Sequence, residues 1–337
     1  MRCHPSTHPV HWAGFDVAKL SFSAALWGHE TFPEMRVRTF ARTRTEAPAV
    51  LAWLWDSAPP GARLGVIMEA MGSYAEELAG WLLDLDPTLH IAIANPAHTS
   101  AFLKSLGLRN KTDDLDAKAL AKFGHERTPT PWERPATEAS VLKDLVRTRM
   151  DLVESRTAMT LRRNDHLRAS TAATQALEQV IHALTIQVKA LEAAIEAHLA
   201  QHETLGSQAK RLMSINGVGL ITAVTVLSEL GDLRRFARSR HLTAFAGVSP
   251  RMRQSGTSVR GRTHMCKQGS ARLRSVLYMA ASAAARFNPD LHEFYERLLA
   301  QGKPRRSALG AIMRKLLVLM RAVLIADQDW VPQEKVA

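Results

Sequence analysis

Apolar and polar residues alternate along VHWAGFDVAKLSFSAALWG (10–28) with a break at Lys19 and Leu20, the pattern of two adjoining hairpin strands. A third strand is expected over 34–41 and a helix over about 44–57. The continuous apolar run RLGVIMEA (63–70) suits a strand covered on both faces, as in an α/β sheet. A helix at 73–86 and a short strand at 90–95 follow, and Asn95 with Pro96 supplies an N-cap and first-turn pair for the next helix. After the polar loop LGLRNKTDD, residues 113–126 read as helix, and the proline-rich TPTPWERP (128–135) cannot continue it. The pattern predicts an α/β domain over 1–135, with its hairpin strands first.

From 136 to about 203 the chain is helical and free of Gly and Pro. Leu145, Leu152 and Met159 are seven apart, and Leu177, Ile181, Leu184, Val188, Leu191 and Ile195 follow four-three spacing. Two coiled-coil-like helices are expected to form a connector over 136–204, paired either as an antiparallel hairpin within the chain or between protomers, because heptads do not say which chain supplies the partner. A mainly α domain then spans 205–330. Its first stretch, 210–231, has two apolar helical halves about Asn216-Gly217-Val218-Gly219, a helix-hairpin-helix-like pattern. The backbone N–H groups at such a turn can meet a DNA phosphate without reading sequence. A helix at 238–246, a Gly, Ser and Arg-rich loop at 247–270, and helices at about 270–286, 289–300 and 305–326 complete it.

Composition sharpens this picture through charge. The 337 residues carry 44 Lys and Arg against 32 Asp and Glu, a formal charge of +12, so polyanions are natural partners. From Leu233 to Pro289 the chain has Arg and Lys throughout and no Asp or Glu, which marks a polyanion-binding surface rather than a mixed solvated face. Candidate contacts there are Arg251, Arg253, Arg260, Arg262, Lys267, Arg272 and Arg274, with Gly217 and Gly219 before them and Arg109 and Lys111 in the first domain. Aromatics are only 6% of the chain, against base stacking as the main binding mode. No apolar run approaches the ~20 residues that cross a bilayer, and the first residues lack a signal peptide's apolar core, so a cytoplasmic protein is expected. The two cysteines, Cys3 and Cys266, are expected to stay reduced, and the Cys and His residues near the start read as a frayed terminus.

The candidate chemistry is acidic. Asp16 falls on the first hairpin strand and Glu69 ends the buried strand, positions where a carboxylate is costly without a partner. Asp113 and Asp116 are three apart at a helix start and share one face, from which Asp114 is expected to point away. Four such side chains can hold two Mg2+ ions, or Mn2+, to clamp the attacking and leaving oxygens of a phosphodiester. Each acid alone is equally well an N-cap or a surface ion-pair partner.

The words GFDVAK, IMEAMGSY and LGLRNKTDDLDAKALA, in that order, resemble the acidic motif of the DEDD-type insertion-sequence transposases. SINGVGLITA, FAGVSPRMRQSGTSVRGRTHMCKQG and LRSVLYMAA resemble the same family's C-terminal domain, so the similarity runs from about residue 10 to 325. The resemblance implies an RNase H/RuvC-like first domain, with its acidic quartet on Asp16, Glu69, Asp113 and Asp116. It also implies a serine nucleophile at Ser255, donor and target double-stranded DNA, and a bridge RNA that guides both. Recombination needs at least two active sites, so a homodimer or homotetramer is expected. From the residues alone Ser258 or Ser249 serves as well as Ser255. The same acids would also suit a structure-selective nuclease that activates water, and a non-catalytic DNA- or RNA-binding protein would use them structurally.

Overall fold

The computed structural model describes residues 11–27, 35–107, 110, 112–165, 170–251, 254–255, 259–260 and 264–332. They form two units, Met1–Arg134 and Pro135–Ala337, divided at the end of the proline-rich stretch. Among the described residues, no helix is long and apolar enough to cross a membrane.

The first unit is built on a five-stranded sheet. Its strands are β1 (His11–Val17), β2 (Ser21–Trp27), β3 (Val37–Ala41), β4 (Leu64–Glu69) and β5 (His90–Ala94), in the order β3-β2-β1-β4-β5. β1, β2 and β3 pair antiparallel, while β4 is parallel to both β1 and β5. Helices α1 (Ala47–Ser57) and α2 (Tyr74–Leu85) supply Val50, Leu54, Leu78 and Leu82 to a core with Phe15, Val66 and Met68. Helices α3 (Pro96–Ser105) and α4 (Asp113–Arg127) supply Phe102, Leu120 and Phe123 to a second core with Trp12, Ile67 and Ala92. Because successive strand residues face opposite ways, β4 feeds both cores, which is why its sequence is apolar without alternation. Asn95 caps α3 as expected, its Oδ1 accepting from Ala97 N at 2.8 Å.

Two glycines set how closely α4 lies on the sheet. A Cβ on Gly14 would stand 2.1 Å from the Ala117 carbonyl oxygen and 2.2 Å from Ala121 N, and one on Gly124 would stand 2.6 Å from the Trp12 ring. All three distances are far inside van der Waals contact, so backbone meets backbone at Gly14 and helix meets indole at Gly124.

The second unit begins with α5 (Thr137–Asp165) and α6 (Thr171–Gln201). Arg149 pairs with Glu192 at 2.6 Å, and His198 Nε2 lies 2.8 Å from the Glu138 carbonyl oxygen. Residue numbers that fall on one helix rise on the other, so the chain supplies its own antiparallel partner. These helices are not a separate connector, since Leu142, Val146, Ile195 and Leu199 join one core with the rest of the unit. That core includes α7 (Glu203–Met213), α8 (Leu220–Leu230), α9 (Ser239–Phe245), α10 (Ala271–Phe287), α11 (Pro289–Ala300) and α12 (Arg305–Ala326). The stretch expected to be loop holds four two-residue strands, β6 (Pro250–Arg251), β7 (Gln254–Ser255), β8 (Val259–Arg260) and β9 (His264–Met265). β6 pairs with β9 and β7 with β8, both antiparallel, so the pairs are nested as one hairpin inside another. Such short strands leave no periodicity in the sequence to find.

Candidate active site

The β1–β2 hairpin places Asp16 opposite Ser23, and the β2–β3 pairing places Ser23 opposite Thr39. On the other side, Phe15 pairs with Met68, so Asp16 and Glu69 are the next residues along two neighbouring parallel strands. In-register residues point to the same face of a sheet. Thr39, Ser23, Asp16 and Glu69 therefore form one polar row across four strands, on the face that α4 covers further down with Gly14, Trp12 and Ile67. That face is apolar where the helix lies on it and polar where the helix begins.

The N-terminus of α4 completes the row. Thr112 caps the helix, its Oγ1 accepting from Leu115 N at 3.3 Å, and Asp113, Asp114 and Asp116 fall in the first turn. Because Ala117 sits on Gly14, the turn before it is held beside Asp16, two residues along the strand. Asp16, Ser23, Thr39, Thr112, Asp113 and Asp114 line a solvent-reached cavity of about 400 Å3. Asp16, Glu69 and Asp116 are each partly exposed, whereas Asp113 and Asp114 are open to water. A carboxylate buried outright without a partner would cost on the order of several kcal/mol, and the rim position avoids this.

Asp114 does not point away, as the helix spacing had suggested. Ser23 Oγ donates to its Oδ1 at 3.3 Å, so this third acid belongs to the same cavity. Glu69 is held from the other side by Thr99 of α3, whose hydroxyl stands 3.0 Å from its Oε1. Sequence reasoning missed Ser23 and Thr99. Ser23 was within reach, since a hairpin turning at Lys19 and Leu20 must pair it with Asp16; nothing in the sequence ties Thr99 to Glu69.

The donor set is all oxygen, the kind that Mg2+ and Mn2+ take. Among the described residues no three Asp, Glu, His or Cys side chains are gathered closely enough to form a ready-made cation cage. Like-charged carboxylates repel until a cation joins them, so the chemistry of the row fits a divalent ion while the spacing is that of an open site.

The predicted nucleic-acid contacts divide. Arg109, Lys111, Arg253 and Arg262 lie outside the described residues. Ser255 is in β7 and Arg260 in β8, where only the backbone is described. Ser258 lies outside the described residues, and Ser249 donates to the buried Thr243 hydroxyl at 3.0 Å. Arg251 and Lys267 are exposed. Arg272 pairs with Asp151 at 2.6 Å and Arg274 Nη1 donates to the Gly269 carbonyl at 2.6 Å, so both also have work within the unit. Gly217, at φ 102°, would bring a Cβ within 2.7 Å of the Ala284 backbone in α10. Close packing therefore accounts for this glycine without DNA. Gly219 has open space where a Cβ would be and is the N-cap residue of α8.

Residues 209–296 match the Transposase IS116/IS110/IS902 family, and residues 13–171 match the DEDD domain of IS110 type, described as Transposase. The chain is 30% identical over 319 residues to the pilin gene-inverting protein of Moraxella bovis, covering 93% of this chain and 95% of that one. It is 26% identical to the transposase for insertion sequence element IS1111A of Coxiella burnetii, over 79% of each chain. Among solved structures, RuvC of Thermus thermophilus aligns with 36% of this chain and 99% of its own at a TM-score of 0.26 and 15% identity.

Proposed function

Because the chain belongs to the IS116/IS110/IS902 family of transposases, we propose that it cuts and rejoins DNA to move or invert a segment, with Asp16, Glu69, Asp113 and Asp116 as the metal-holding acids. The observation that carries this reading is the polar row of Asp16 and Glu69 at the rim of the sheet, with the first turn of α4 held against it through Gly14. Divalent cations bound there would neutralise phosphate oxygens and assist in-line displacement at the phosphodiester. In this reading the residues of the chain set where that happens: Asp16 and Glu69 act from the ends of neighbouring strands, and Asp113 and Asp116 from the capped start of α4, a placement supported by Asp16 and Asp113 lining one cavity.

The attacking group is Ser255. Its hydroxyl oxygen forms a bond to the phosphorus while one ester oxygen leaves with a proton, joining DNA covalently to the protein. Support comes from its match to the family's serine and from the one-signed sequence around it, where Arg251, Arg253, Arg260 and Arg262 can neutralise the phosphate. Donor and target are chosen by a bound bridge RNA, and the exchange is made by a dimer or tetramer; both follow from the family resemblance.

End-labelled duplex DNA incubated with the protein and denatured tests the serine directly. The wild type is expected to retain label on the protein, Ser255→Ala to lose it, and Ser258→Ala to keep it. Cleavage without any adduct in the wild type would mean that water attacks, as in a structure-selective nuclease.

A further inference from the structure

Thr99 lies in the first turn of α3 and is 1% exposed. Its Oγ1 stands 3.0 Å from Glu69 Oε1 and 3.1 Å from the Pro96 carbonyl oxygen. A threonine hydroxyl carries one proton and can satisfy only one of these acceptors at a time. Backbone pairing fixes where Glu69 begins. β4 and β5 stay paired to their ends, Glu69 opposite Ala94, and the Ala70 N–H continues the ladder to the Ala94 carbonyl at 2.9 Å. The strand backbone is fixed, so what remains free in Glu69 is its side chain, with three rotatable bonds. From α3, the Thr99 hydroxyl reaches that carboxylate, and a charge-assisted hydrogen bond from a buried donor is stronger than the neutral alternative at Pro96.

We propose that Thr99 is a positioning residue for Glu69: its hydroxyl donates to Oε1, fixes the carboxylate rotamer and leaves Oε2 to face the cation. This rests on the reading of Glu69 as a metal-holding acid. Partners that orient a ligating carboxylate matter to the metal even though they never touch it, and removing one costs roughly 10- to 100-fold in affinity.

Mn2+ titration of the full-length protein, followed by the loss of the free-ion spin-resonance signal, tests this without DNA. Thr99→Val keeps the shape and removes the donor; it is expected to weaken Mn2+ binding roughly tenfold while its thermal unfolding stays near that of the wild type. Thr99→Ser restores the hydroxyl and is expected to restore the affinity, which a purely packing role for the threonine would not require. Glu69→Gln serves as reference and is expected to bind Mn2+ more weakly than either. If Glu69→Gln weakens binding but Thr99→Val does not, or if Thr99→Ser fails to recover it in a folded protein, the positioning role is overturned and the metal assignment stands. If Glu69→Gln binds Mn2+ as the wild type does, the metal assignment of Glu69 falls and the role of Thr99 falls with it.

Discussion

At the scale of single residues, the site depends as much on an absent side chain as on the acids. Gly14 lets α4 approach until the Ala117 carbonyl oxygen lies 2.1 Å from where a Cβ would be, and that contact is on the turn that follows Asp113 and Asp116. Gly14→Val is expected to destabilise the protein by about 1–3 kcal/mol, the range for overpacking, and to move the first turn of α4 off the strand. Thermal unfolding checks the first effect and Mn2+ affinity the second; a variant as stable and as tightly binding as the wild type would show that the contact does not govern the site. Asp16 and Glu69 were legible in the sequence because carboxylates interrupting apolar strands need a reason. Ser23 could be reached only through hairpin pairing, and Asp114 was misjudged because helix spacing does not show which face meets the sheet. Thr99 was not legible at all, since its partner is 30 residues away on another element.

At the scale of elements, the alternation, apolar runs, caps and prolines located nearly every helix and strand, because those signals are local. The nested strands of 250–265 escaped, each being two residues long among Gly, Ser and Arg. Heptads announced α5 and α6 but could not say what they pack on; the answer is the core of the second unit, fastened by a charge. Arg147 of α5 donates to Glu229 of α8 through Nε at 2.8 Å and Nη2 at 3.2 Å. Burial pushes the Glu229 carboxyl up, but the hydrogen bonds and charge of Arg147, with Ser270 and Lys143, outweigh it and hold the group below its ordinary range. A carboxylate depressed on folding stabilises above its unfolded value, about 4.3, and loses that contribution as pH falls through the folded value. Glu229→Gln is therefore expected to cost about 1.5–3 kcal/mol at pH 7. Its deficit against the wild type should shrink on acidification below about pH 4.3. Melting curves at both pH values check this; an equal deficit at both would remove the ion pair as its cause.

At the scale of the whole molecule, two units divide the labour that the proposed reaction needs. The first carries the acids on a sheet rim, and the second carries the basic, acid-free segment and Ser255. Net positive charge brings nucleic acid to the protein, while the acids would repel it without a cation between them, so binding and cutting should respond differently to metal. The most direct test uses labelled duplex from the DNA flanking the gene for this chain, together with RNA transcribed beside it. Binding and strand cleavage are measured for the wild type and Asp16→Asn in Mg2+, in EDTA, and in EDTA followed by excess Mn2+. The wild type is expected to bind in all three, to cleave in Mg2+ and Mn2+, and to stop in EDTA; Asp16→Asn is expected to bind as well and cleave in none. Cleavage by the wild type undiminished in EDTA, or by Asp16→Asn at the wild-type rate, would contradict the account.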